Sequence, residues 1–120
     1  MMTTQQVANR LVELVRTGQF DACYDELFHP DAEAHEMEGM PNSVTKGLDN
    51  MRAKSEEWAK QVKEFHGVTV SDPLVAPGWF SVHMGIDITK MDGVRSTDQE
   101  ICLYQVKDGK IVAERFFYDV

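Results

Sequence analysis

Two glutamates stand where a hydrophobic hairpin would ordinarily carry valine or threonine. Residues 97 to 120 read TDQEICLYQVKDGKIVAERFFYDV, and Glu100 and Glu114 fall among their β-branched and aromatic residues. A carboxylate withdrawn from water is costly unless something holds or uses it. Two of them in one low-dielectric pocket push their proton affinities apart, leaving one protonated and one ionised near neutral pH. That arrangement suits proton abstraction beside a carbonyl, with a tyrosine hydroxyl holding the developing enolate oxygen. Tyr104 and Tyr118, in the same two segments, supply such hydroxyls. The plainer reading is a solvated edge carboxylate, or Glu114 paired with a neighbouring arginine.

Whether the acids meet depends on one turn. Lys107-Asp108-Gly109-Lys110 is a β-hairpin signal, with Gly109 free to take positive φ. In the closing strand Glu114, Phe116 and Tyr118 share one face, and Ile111, Ala113, Arg115, Phe117 and Asp119 the other. A bulge at the turn puts Glu100, Cys102 and Tyr104 on the Glu114 face; a two-residue turn puts them opposite. Further upstream, Trp79, Ser81, His83, Gly85 and Asp87 alternate with Phe80, Val82, Met84, Ile86 and Ile88. His83 and Asp87 would join the pocket only if their polar face is the concave one. Trp58 could wall it. His35-Glu36-x-Glu38 and His83-x-x-x-Asp87 each lack a third ligand, so no metal is expected. Neither a phosphate loop nor a nucleophile elbow is present, and no cofactor is expected.

The elements that must position these groups follow from periodicity. Thr3 or Thr4 caps a first helix whose stripe is Val7, Leu11 and Leu14 with Ala8, Val12 and Val15, stopped by Gly18. A second helix spans about 20–28, presents Phe20, Tyr24, Leu27 and Phe28 at helical spacing and is ended by His29-Pro30. A polar strand over 31–38, at a sheet edge, is followed by a loop at 39–46. A long helix runs from Gly47 to about His66, closed by Gly67, with Leu48, Met51, Ser55, Trp58, Val62 and Phe65 on one face and Lys54 among the solvated residues opposite. Strands then follow over 68–76 and 79–90, joined through Pro77-Gly78, and, after an Asp92-Gly93 turn, over 96–106 and 110–118. This is an α+β layout in one domain of 120 residues, with the sheet covering the long helix and an open mouth at one end.

The formal charge of −8 speaks against nucleic acid and against an anionic membrane surface as partners. Cys23 and Cys102 show no metal spacing and suit free thiols in a reducing cytoplasm. The N-terminus lacks the pattern of a secretory signal, and no stretch approaches 18 consecutive apolar residues.

Three stretches, GQFDACYDELFHPDAEAHE, GLDNMRAKSEEW and EICLYQVKDGKIVAERFFYD, resemble the SnoaL-like branch of the nuclear-transport-factor-2-like superfamily. The resemblance spans nearly the whole chain. It implies a cone-shaped barrel, three N-terminal helices against a strongly curved, mostly antiparallel sheet, and a homodimer packed through the sheet's outer face. For chemistry it implies a choice, because the superfamily holds cyclases, a steroid isomerase, epoxide hydrolases, dehydratases and binders without activity. Against ketosteroid isomerase, the general base falls on Glu36, while the two oxyanion donors fall on Leu11 and near Cys102, so steroid isomerisation is not expected. Against polyketide cyclases, the late acid falls on Glu114 or Asp119. The epoxide-hydrolase network wants an arginine beside the acids, and Arg115 lies on the face opposite Glu114. The resulting expectation is cofactor-independent acid/base proton transfer, of isomerase or cyclase type, on a small apolar carbonyl compound. Glu114 is its acid/base, Glu100 the electrostatic partner, and Tyr104 and Tyr118 the donors. The alternative is a small-ligand binder without catalysis on the same fold.

Overall fold

A computed structural model describes residues 1–119. The first helix, α1 (Thr4–Arg16), starts on a capping box: the Gln6 amide donates to Thr3 Oγ1 at 3.1 Å, and the Thr3 amide to Gln6 Oε1 at 2.9 Å. Its six stripe residues, Val7, Ala8, Leu11, Val12, Leu14 and Val15, are all exposed by 4 % or less. After Gly18, at φ +73°, come α2 (Phe20–Leu27) and β1 (Phe28–His35). Then follow β2 (Val44–Lys46), α3 (Leu48–Lys60), β3 (Val62–Val70) and β4 (Leu74–Ala76). Three long strands complete the chain: β5 (Trp79–Lys90), β6 (Arg95–Lys107) and β7 (Lys110–Phe117).

The sheet runs β2-β1-β7-β6-β5-β3, with β4 also on β5. Every pairing is antiparallel except β1 with β7, which is parallel. β2 and β3 end the order without meeting, so the sheet curves but does not close into the barrel the resemblance implies. The architecture is α+β, three helices on the inner face of one mixed sheet.

Four expectations need correction. The long helix ends at Lys60, and Val62 and Phe65 belong to β3. Those two apolar residues continue the helical spacing by coincidence, but strand pairing to Lys90 and Ile88 decides their state. Gly67 is therefore not a helix stop; it pairs with Asp87 next to a register shift. The helix covered by the sheet is α1, for α3 buries only Met51. Finally, β1 is internal, because the 39–46 segment contains β2, which takes the edge beside it. Pro30 is tolerated within β1 because it lies where the β1–β7 register shifts.

Candidate active site

The β6–β7 hairpin settles which acids meet. Lys107 pairs with Lys110 across a two-residue turn, with Asp108 at φ +51° and Gly109 at φ +74°, as the right-handed twist of a hairpin favours. By itself that turn would set Glu114 facing away from Tyr104. One step further Val106 pairs with Ile111 and Gln105 with Ala113, so Val112 is an extra residue in β7. That bulge reverses the alternation. Beyond it Tyr104 lies opposite Glu114 and Cys102 opposite Phe116, all on the inner face. It also moves Ile111, fully buried, to the inner face, correcting its assignment beside Arg115.

Glu114 is the only charged residue among the buried ones described, at 7 % exposure. Its parallel neighbour on β1 is Ala34. No described group hydrogen-bonds that carboxyl. Yet no fully enclosed side-chain oxygen or nitrogen among the described residues lacks a partner, so its oxygens retain a little accessible surface. Burial first, then the nearby charges of Glu100 and Glu36, push its pKa up to about 8, against an opposing pull from Lys54. Glu100 is half-buried, and burial raises its pKa too; its described partner is the Cys102 thiol, which donates to Oε1 at 3.5 Å.

Tyr104 lies beneath the acids, stacked on Phe80 with ring centroids 4.7 Å apart. Burial, and then the charges of Cys102, Glu114 and Glu100, hold its hydroxyl well above the ordinary range. Tyr118, just past β7, donates to Glu36 Oε2 at 2.8 Å, and Lys54 Nζ donates to Glu36 Oε1 at 3.3 Å. Glu36, one residue beyond β1, is thus brought to the cluster but held by two donors. Burial, and then the bond to Glu36, raise the Tyr118 pKa.

Two groups were given no place in the site by the sequence, and a third was set on its face without a role. Lys54, assigned above to the solvated side of α3, stands three residues after buried Met51 and turns inward at the edge of that stripe. Tyr24 on α2 was counted only as an apolar helix residue. Its ring meets Phe28 edge-on at 5.1 Å and lies 5.4 Å from the Arg52 guanidinium. Burial and the charge of Glu114 raise its hydroxyl pKa, while a hydrogen bond with Ser55 opposes them. Cys102, fully buried, sits between Glu100 and Tyr104 on the inner face of β6. Strand alternation had set it on the Glu100 and Tyr104 face, as the structure has it.

Other candidates fall elsewhere. His83 and Asp87 are on the outer face, because Phe80, Val82, Met84 and Ile88 take the core side of β5. There His83 Nε2 meets Gln99 Oε1 at 3.1 Å, and Asp87 is forked by Arg95 at 3.1 and 2.9 Å. Neither joins the acids. Trp58 continues the Met51–Ser55 stripe toward the end of α3 but is 40 % exposed. Asp119 is exposed, so of the two late acids only Glu114 points inward. Among the described residues no trio of His, Cys, Asp or Glu is arranged to hold a metal ion. Two surface depressions, about 520 Å³ beside the Asp108–Gly109 turn and about 390 Å³ beside Arg16 and Asp72, contain none of the clustered acids.

Comparison with known proteins agrees with this architecture. A family model described as a SnoaL-like domain matches residues 2–118. The chain belongs to the SnoaL-like family. A Mesorhizobium loti structure, provisionally designated a SnoaL-like polyketide cyclase with carbohydrate phosphatase as a second label, is 33% identical with a TM-score of 0.90. The match covers 98% of this chain and 100% of that one. A nuclear-transport-factor-2-like protein of Burkholderia thailandensis shares the fold at 18% identity and TM-score 0.81, over 99% and 92% of the two chains. So does a Jannaschia protein, also provisionally a SnoaL-like polyketide cyclase, at 16% identity and TM-score 0.77, over 98% and 87%. No curated protein matches the chain. The SnoaL-like family supports a small-molecule isomerase or cyclase kind of function.

Proposed function

We propose that this SnoaL-like protein moves a proton on a small, largely apolar carbonyl compound, as an isomerase or cyclase working by acid/base catalysis without a cofactor. The observation that carries the reading is Glu114, buried on the inner face and holding its proton up to about pH 8. A carboxyl so placed is a ready acid, and its ionised form is a stronger base than an exposed carboxylate. Glu100 keeps negative charge nearby and so sustains that proton affinity. Tyr104 and Tyr118 are the candidate donors to an enolate oxygen, with Tyr118 exchanging Glu36 for the ligand. A binder without catalysis would more naturally leave its acids in water, and Glu114 is not in water. In this reading the protein is cytoplasmic, in keeping with two free, buried thiols. It works as a homodimer through the outer sheet face, where Trp79, Ile101 and Phe117 are exposed.

The test is turnover of an identified substrate by Glu114→Gln. Loss of a general acid/base costs roughly 10²- to 10⁴-fold in rate. Full turnover by the variant removes Glu114 from the mechanism.

A further inference from the structure

The inner floor is rich in acceptors and short of donors. Glu114 is buried with no hydrogen bond to a described residue, and its oxygens are not sealed off. Glu100 receives only a thiol, among the weakest donors, at 3.5 Å. Of the strong donors within reach, the Lys54 ammonium and the Tyr118 hydroxyl are engaged by Glu36, and the Tyr104 hydroxyl is engaged with the Cys102 sulfur. A ligand that offers only carbonyl oxygens would leave both floor acids as they are. One that brings a donor would satisfy them, and a positive one would also balance Glu100, which pairs with no described cation while Lys54 is taken by Glu36.

We propose that the substrate carries a protonated amine besides its carbonyl, and that Glu100 is the residue that receives it. The assignment rests on the acid/base reading above and adds the substrate class. Glu100 suits the role because it is only half-buried, so an ammonium can reach it without full loss of water. Phe116, across from Cys102 on β7, is an aromatic neighbour of the kind a cation favours.

The amine then affects the base. Glu114 faces Glu100, Cys102 and Tyr104 from β6, Glu36 from the end of β1, Lys54 from α3, and Cys23 and Tyr24 from α2. Of these, Glu100 contributes the largest charge effect on its proton. Neutralising Glu100 with an ammonium weakens that hold, so binding of the cation frees the Glu114 carboxylate to act as base.

Calorimetric titration of the full chain at pH 7 with benzylamine, benzyl alcohol and benzoate tests this. Repeating it in phosphate and in Tris counts the protons exchanged. Benzylamine is expected to bind roughly tenfold or more tighter than benzyl alcohol, with benzoate weakest, and to release protons that the alcohol does not. Glu100→Gln is expected to bring benzylamine down to the affinity that the alcohol has for the same variant. Benzoate binding as tightly as benzylamine, no benzylamine binding in the millimolar range, or a benzylamine affinity indifferent to Glu100→Gln overturns the proposal. Failure of the acid/base reading shows separately, as full turnover in Glu114→Gln with the amine preference intact.

Discussion

Replacing Glu114 with glutamine should change how stability depends on pH, in a direction the burial of that carboxyl fixes. Glu114 titrates at about 8 against an ordinary 4.5, a gap of roughly 3.5 pH units. At about 1.4 kcal/mol per unit that gap is on the order of 5 kcal/mol. The neighbouring acids share in it, so roughly 3–5 kcal/mol is a fair range. The folded protein holds a proton that the unfolded chain gives up. Stability therefore falls as pH rises from about 4.5 to about 8, and levels off above. Glutamine has the same shape and no charge to desolvate. At pH 5 the two proteins should agree within about 1 kcal/mol; at pH 9 the variant should be the more stable by roughly 3–5 kcal/mol. Urea unfolding followed by circular dichroism at unit steps of pH measures the difference. Parallel profiles for wild type and Glu114→Gln would refute the buried, proton-holding carboxyl.

Two further predictions concern the frame around the site. Thr3→Ala removes one half of the capping box on α1 and should cost about 1 kcal/mol in urea unfolding, with no change in the pH profile. Phe117→Glu places a charge on the outer sheet face beside its cross-strand partner Ile101, each now 46 % exposed. If that face joins two copies, sedimentation should show a dimer for wild type and a monomer for the variant; a wild-type monomer would count against the proposed pairing.

Much of the frame was legible because local signals agreed with one another. Strict alternation from Trp79 to Lys90, between Pro77-Gly78 and Asp92-Gly93, gave β5 its observed ends. The α1 stripe was equally plain, and its cap lay between Thr3 and Thr4, of which the structure uses Thr3. The α3–β3 junction was not, because Val62 and Phe65 suit a helix face and a strand face alike, and only pairing with β5 decides between them. The site was half legible. Glu100 and Glu114 stood out as acids in hydrophobic strands, but their shared face depends on Val112, an unremarkable valine that bulges for reasons of sheet geometry. Glu36 was brought forward by resemblance, yet its capture by Lys54 and Tyr118 required knowing that α3 crosses near the end of β1. His83 and Asp87 were drawn outward by the simplest rule of all, since the apolar alternates of β5 claimed the core.

The most direct measurement follows the side-chain carboxyl carbons of ¹³C-labelled glutamate by NMR from pH 4 to 10, with Glu114→Gln to assign the resonance. A midpoint near 8 for Glu114, well separated from the exposed glutamates, is the expected result. A midpoint in the ordinary range around 4.5 would show a carboxyl in contact with bulk water and would contradict the account.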